Sequence, residues 1–295
     1  MDRQKADHLT PVQEPLVSVV IPFFNQDEYL LDAVRSVEAQ TYGNVEMVVV
    51  DDCSPRASAA DLLSWRQISN LTIVRHAQNR GAAASRNSAV SSARGEFILP
   101  LDADDMITPD YVAKTSALLL QSPDVGAVWT HVQMFGDQEQ VWQPDCTLPA
   151  RLSFGGPNTF LYRRSLFEDV GGYSEDWQIA EDFDFWIKLL ERHWKVACVQ
   201  EPLYLRRKYS GSAMTRVNLV DKMRLLLRDH RPVCLAYLEV FVINELGKSW
   251  TSEKRYRQLL RDYAELLERR RQYDERAREL GLNPRPFPVA GVGGS

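Results

Sequence analysis

Apolar positions along this chain fall into short runs separated by stretches of helical spacing. Leu16 to Phe24 reads LVSVVIPFF, a β-branched run stopped by proline, which predicts a strand buried on both faces. Asn25, Gln26, Asp27 and Glu28 then supply capping groups, and Leu30, Val34 and Val37 recur at helical spacing until Gly43. Val45 to Val50 predicts a second buried strand, ending in Asp51 and Asp52 and followed by a helix near Asp61 to Gln67. Leu71 to Val74 predicts a third strand, Gly81 to Ala93 a helix of small residues able to pack closely on a sheet, and Phe97 to Leu101 a fourth strand. This alternation predicts an α/β fold with a doubly wound, mostly parallel sheet flanked by helices. Ligands of such sheets gather beyond the C-terminal strand ends, where Asp52 and Asp102 stand.

The pattern continues with a helix over Tyr111 to Leu120, a strand over Val125 to Val132, and a loop around Gly155, Gly156 and Pro157. A helix over Glu181 to Leu190 opens on acidic residues, which suit the positive end of its dipole, and a short strand lies near Val196 to Val199. Beyond about Asp221 the chain becomes charge-rich. Tyr256, Leu259, Leu260, Tyr263, Leu266 and Leu267 form a helical stripe there, before a Pro- and Gly-rich end.

Composition adds limits. With 44% hydrophobic and 25% charged residues in 295, the chain predicts a folded protein with a substantial core. A net charge of -5 excludes a strong basic field, and with it nucleic acid as the expected partner. Cys53, Cys146, Cys198 and Cys234 are widely spaced with no CxxC pair, which argues against a zinc site or a disulfide framework and for a reducing cytosol. The N-terminus lacks the apolar core of a signal peptide, and no run of about 18 uncharged apolar residues occurs. The expectation is a cytoplasmic protein, either free or peripheral at the inner face of the membrane. His8, His76, His131, His193 and His230 show no ligand spacing and are expected to be structural or exposed.

The sequence LPLDADD sets Asp102, Asp104 and Asp105 where the chain turns after a buried strand. Hard divalent cations take oxygen ligands in this way, and Mg²⁺ or Mn²⁺ on one or two carboxylates keeps coordination positions for phosphates. Alone, the motif reads more readily as a solvated acidic turn or as a cap for the helix after Thr108 and Pro109 than as a metal site. Its companions narrow it: VVIPFFN, VVVDDCS, NRGAAASRN and EDFDFWIKL occur in order around it. This set resembles the inverting family 2 glycosyltransferases of the GT-A fold, over about Val17 to Thr215.

The resemblance implies a nucleotide-sugar donor, a saccharide or lipid-linked acceptor, and a divalent metal, Mn²⁺ or Mg²⁺. Pro22, Phe24 and Asn25 match the turn that carries an aromatic near the nucleobase; Glu28 matches an acidic position near the nucleotide; Asp52 matches the strand-end acceptor of the base. Arg80, and with it Arg86, falls in the segment that brings basic donors toward the nucleotide. Asp102 is implied in ribose contact and metal binding and Asp104 as the principal ligand, with Asp105 in reserve. Because a sugar hydroxyl attacks poorly until its proton is accepted, the family uses the Asp of an E-D pair as base, here Asp182. Glu181 and Trp186, one helical turn from Asp182, are implied on the acceptor side. Structural alternatives stand beside each: a core phenylalanine for Phe24, helix capping for Glu28, Glu181 and Asp182, and surface ion pairs for the arginines.

Implied domains are a polar tail 1–14 and a GT-A domain 15–219, with a nucleotide-binding half 15–110 and an acceptor half 111–219. A helical appendage 220–282 and a flexible tail 283–295 follow. The appendage could pack on the domain, form a homodimer, or make peripheral membrane contact. One departure stands out: Tyr209 in RRKYSGSAMT occupies the place of a histidine the family often uses near metal or diphosphate, beside Arg206, Arg207 and Lys208. Two rival functions remain. A sugar-phosphate nucleotidyltransferase would need a glycine-rich loop that IPFFNQDE lacks and would release pyrophosphate. A non-catalytic nucleotide-sugar-binding or scaffold protein would bind donor without transfer.

Overall fold

The computed structural model describes residues 14–143, 157–177, 180–192, 194–209, 225, 228–230 and 276. The expected polar tail to residue 13, the loop residues 151–156, Cys146, Cys234, His8, His193, the helical stripe from Tyr256 and the Pro/Gly-rich end lie outside the described residues. The chain divides into two compact units, Met1–Tyr237 and Leu238–Ser295; of the second, only Arg276 is described.

Strand β1 (Val17–Phe23) is buried on both faces and pairs in parallel with β2 (Val45–Asp51) on one side and β4 (Phe97–Pro100) on the other. Strand β3 (Leu71–Arg75) extends the parallel set beyond β2. Side chains alternate between two cores: Val17, Val19 and Ile21 join Met47 and Val49 in one, while Val20 joins Val48 and Val50 in the other. Helices cover both faces, as an all-parallel set requires. Helix α1 (Leu30–Glu38) buries Leu30, Ala33, Val34 and Val37, and α2 (Ala59–Leu63) begins in a capping box made by Ser58 and Asp61. Helix α3 (Ala82–Ser92) brings Ala83, Ala84, Ala89 and Val90 against the second core, small residues that let its backbone approach the sheet.

After β4 the topology changes. Short β5 (Met106–Ile107), α4 (Tyr111–Gln121), β6 (Val125–Gly136), β7 (Gln140–Trp142), β8 (Leu161–Arg163), α5 (Arg164–Val170), α6 (Glu181–Glu191) and β9 (Lys195–Lys208) complete the described elements. The sheet order is β3-β2-β1-β4-β8-β6-β9-β5, with β7 on β6. Strand β8 is antiparallel to both β4 and β6, β5 is antiparallel to β9, and β6 is parallel to β9. Parallel pairing therefore holds for β1 to β4 and again for β6 with β9, so the mostly parallel sheet expected from the sequence is present, with short antiparallel additions. The added strands β5, β7 and β8 are two or three residues long and pair antiparallel, which needs no crossover helix; β7 returns on β6 through residues 137–139. The α/β class stands.

At the N-terminal strand ends a closed polar network lies under the sheet. Ser18 Oγ donates to Glu46 Oε1 (2.7 Å) and accepts from the Gly95 N–H (2.7 Å), while Glu46 also accepts from the Arg94 N–H (2.6 Å) and Nε (2.8 Å). Burial would raise the Glu46 carboxyl, but these donors outweigh it and hold it below its usual value. Among the described residues no helix is long and apolar enough to cross a membrane.

Candidate active site

At the opposite, C-terminal ends of β1 and β2 the loops are tied to each other. Phe23 completes the core, whereas Phe24 is 42% exposed, which removes the core alternative for its ring. Asn25 adopts a left-handed conformation (φ 61°), and its N–H donates to Ser54 Oγ (3.2 Å) while its carbonyl accepts from Arg56 (2.6 Å). Pro22 lies half-buried in β1 opposite Val50, and Glu28 is exposed in the turn before α1. Asp51 serves the turn, accepting from the N–H groups of Ser54 (2.8 Å) and Ala59 (3.1 Å) and from Arg75.

Asp52 is buried at the same edge. Its Oδ1 accepts from His76 Nδ1 (2.7 Å) and the Arg80 N–H (2.8 Å), and its Oδ2 from the Gly81 N–H (2.7 Å) at the start of α3. Gly81 has φ 89°, a conformation that favours glycine. The Arg80 side chain turns outward to Glu175 (3.1 Å), the surface ion pair weighed against nucleotide contact.

The acidic turn follows β4. Ligand oxygens of Asp102, Asp104 and Asp105 lie within 4.8 Å of one another, a cluster of hard donors suited to Mg²⁺ or Mn²⁺. The three carboxylates differ. Asp102 is held at both oxygens, by Arg86 (2.7 Å) and by Asn158 Nδ2 (3.1 Å); burial would raise its carboxyl, but the Arg86 charge and these bonds keep it low. Asp105 is buried beneath the turn, where it accepts from the Tyr204 hydroxyl and the Arg207 N–H (2.7 Å); burial first, then Asp104 and Asp102, push it up to about 8. Asp104 accepts from the Tyr209 hydroxyl (2.9 Å), and burial with the neighbouring Asp102 charge raises it. Asp104 is thus the carboxylate least committed to its surroundings.

Helix α6 brings the E-D pair to the same place. It starts from Ala180, also left-handed (φ 57°), with Glu181, Asp182 and Asp184 in its first turn. Arg86, buried on α3, reaches both sides: one guanidinium nitrogen pairs with Glu181 and the other with Asp102. Its charge is held firmly because Asp102 and Glu181 outweigh the penalty of burial. Asp182 lies half-buried beside Glu181 with Oδ1 on the Phe183 N–H (2.9 Å), and its charge is felt at both Arg86 and Arg206.

Two expectations change here. Trp186 was expected on the acceptor side, but its indole is 3% exposed and packs against Phe160 (4.1 Å between centroids) and Trp129 (4.8 Å). It belongs to the aromatic core because α6 buries most of its circumference, Phe183, Phe185, Ile187 and Leu189 included. Glu181, also expected at an acceptor, has Oε1 engaged by Arg86.

Several contacts were not foreseen. Arg207, in the basic run beside Tyr209, donates from Nε to the Asp104 carbonyl (3.0 Å), pairs its guanidinium with Asp32 (3.0 Å), and lies over the rings of Tyr29 and Phe135. Tyr209 stacks at a tilt on Tyr29, 5.1 Å between centroids. His76 contacts Asp52, and Asn158 contacts Asp102. The only sequence signal for Arg86 was its place in NRGAAASRN; no spacing rule pairs it with residues 16 and 95 positions away.

Comparison with known proteins shows the family and the fold. The model of glycosyl transferase family 2 matches residues 18–179, more than half the chain, and the chain belongs to that family. An uncharacterized glycosyltransferase of Haemophilus influenzae is 26% identical over 189 residues, covering 60% of this chain and 62% of the relative, so the chain spans less than two thirds of that relative's length. The succinoglycan biosynthesis protein ExoO of Rhizobium meliloti is 28% identical over 232 residues, 71% of this chain and 66% of ExoO. Among solved structures, S. aureus TarS 1-349 in complex with UDP-GlcNAc matches with a TM-score of 0.65 at 23% identity, covering 79% of this chain and 73% of that one. The mannosyltransferase PcManGT from Pyrobaculum calidifontis, in complex with GDP-Man and Mn²⁺, matches with a TM-score of 0.60 at 22% identity over 87% and 81% of the two chains. Both likenesses show the GT-A fold.

Proposed function

We propose that the protein transfers a sugar from a nucleotide-diphospho-sugar, a UDP-sugar by preference, to an acceptor hydroxyl with inversion, in polysaccharide or glycoconjugate synthesis. The observation that carries this reading is Arg86: one buried guanidinium joins Asp102 of the acidic turn to Glu181, the neighbour of Asp182. This bridge between the turn read as donor-side and the neighbour of the residue read as base supports a direct displacement.

In that displacement the acceptor oxygen bonds to the anomeric carbon as the bond from that carbon to the diphosphate oxygen breaks. The electron pair leaves with the diphosphate, and Asp182 takes the acceptor proton. Arg206, half-buried and held charged against the cost of that burial by Tyr204, Asp105, Asp102 and Asp182, adds positive charge on the leaving side. A divalent cation, Mn²⁺ or Mg²⁺, held by Asp104 with Asp102 would supply Lewis-acid neutralisation of the leaving diphosphate. Glu181 acts through Arg86 to fix the start of α6 relative to the turn.

The test is a panel of UDP-, GDP- and dTDP-sugars with Mn²⁺ or Mg²⁺, scored for donor hydrolysis and repeated with chelator. One donor should be hydrolysed slowly, and chelator should stop it; no binding to any of them defeats the reading. Asp182→Asn should lower kcat by about 10²- to 10⁴-fold with donor affinity and thermal midpoint unchanged. Near-normal transfer by the folded variant would remove Asp182 from its role.

A further inference from the structure

We infer that His76 is a positioning residue for the donor's base, acting through Asp52, an inference that rests on the reading of Asp52 as the base acceptor. The geometry is a chain of three side chains that runs from half-buried Ser88 inward. Ser88 Oγ on α3 lies 2.9 Å from His76 Nε2, and His76 Nδ1 lies 2.7 Å from Asp52 Oδ1. Both His76 and Asp52 are buried. An ionised carboxylate only accepts, so Nδ1 carries the proton, and Nε2 is left to meet the Ser88 hydroxyl.

Counting acceptor sites on Asp52 gives the consequence. Each carboxylate oxygen offers about two lone-pair directions. On Oδ1 they are taken by His76 and the Arg80 N–H; on Oδ2 one is taken by the Gly81 N–H. Among the described residues this leaves a single direction, on Oδ2, for a ligand N–H. Without the His76 donor the carboxylate still holds the Arg80 and Gly81 N–H groups, one on each oxygen, but a second direction opens on Oδ1, so that a ligand N–H has two oxygens to choose between. His76 therefore fixes which oxygen reads the ligand, while Ser88 fixes the imidazole plane.

Two amide substitutions separate this role from packing. In His76→Asn the shorter side chain puts its amide nitrogen in the place of Nδ1 and keeps the bond to Asp52. In His76→Gln the longer side chain carries its amide toward Ser88 and leaves Oδ1 with the Arg80 N–H alone. Affinity for UDP, GDP and dTDP with Mn²⁺ is measured by calorimetry on the full chain, and the tightest nucleotide is followed. His76→Gln should weaken it about tenfold or more, as expected for loss of a hydrogen bond to a charged group. His76→Asn should stay within about threefold, and kcat at saturating donor should change little in either. Equal affinities for the two variants, or wild-type affinity in His76→Gln, overturn the positioning role while leaving the proposed function intact. A wild-type protein that binds none of the three nucleotides overturns both.

Discussion

The two ends of the parallel strands carry polar clusters of opposite character. At the N-terminal end Glu46 meets the Ser18 hydroxyl and the Arg94 amide and guanidinium, and its charge is matched donor for donor. At the C-terminal end Asp102, Asp104, Asp105, Glu181 and Asp182 crowd around Arg86, Arg206 and Arg207, and two of the acidic-turn carboxyls, Asp104 and Asp105, are driven upward. One cluster is complete in itself. The other is built around repulsion that a bound cation would relieve. Buried charge stabilises only when paired, so the imbalance at this end supports the proposed site.

The largest effects should separate these ends. Asp104→Asn should lower turnover by about 10²- to 10³-fold and leave the urea midpoint unchanged or higher, because one member of a repelling set is neutralised. Glu46→Gln should do the reverse, losing about 1–3 kcal/mol of stability with turnover within about twofold of wild type. If Glu46→Gln impairs turnover as much as Asp104→Asn, the contrast between a structural and a functional network is wrong.

Arg86→Lys comes next. Lysine keeps the charge but cannot span Asp102 and Glu181 with two nitrogens. Turnover should fall about 10- to 100-fold, and stability by about 3 kcal/mol, read from transfer assays and urea unfolding of the same preparation. Wild-type turnover in this variant would show that the acidic turn and α6 hold their relation without the guanidinium.

The smallest effect concerns a third cluster, on the far side of α6, which is balanced like the first. His230 Nε2 lies 2.7 Å from Asp184 and Nδ1 3.1 Å from Glu191; Asp184 also pairs with Lys188. Burial would lower the imidazole, but the two carboxylates outweigh it and raise it above 6.5. A raised folded value means the stabilisation is fully present below 6.5 and is lost as pH rises through the folded value. The urea midpoint should therefore drift down on the alkaline side, and His230→Gln should flatten that drift without touching the acid limb. An unchanged drift in the variant would assign it to another group.

Much of the nucleotide-side fold was legible because β1, β2 and β4 are buried on both faces and read as apolar runs, broken only near their starts by Ser18 and Glu46. Strands β5 and β8 were not, since two or three residues carry no period and owe their conformation to partners far along the chain. Strand β9 was expected only to Val199. Its continuation QEPLYLRRK mixes Pro202 with charges, and the register shifts at His131 that accommodate it are tertiary. For the proposed site, motif order pointed to Asp52, Asp102, Asp104 and Asp182. Helical spacing misplaced Trp186 because a periodic face says which residues align, not whether that face meets solvent or a second aromatic layer. Arg86, His76 and Tyr209 act through contacts across 16 to 105 positions, beyond any local rule.

Three residues other than glycine adopt left-handed backbone among the described residues: Asn25, Cys53 and Ala180. The first two follow β1 and β2, and the third launches α6. For alanine this conformation costs about 1–2 kcal/mol, and glycine would relieve it at the price of a looser hinge. The tension in these three peptides is thus a map of the site drawn in backbone alone. It also sets a limit on redesign: a variant chosen for heat resistance will be tempted to relax the very joints that aim Phe24, Asp52 and Asp182.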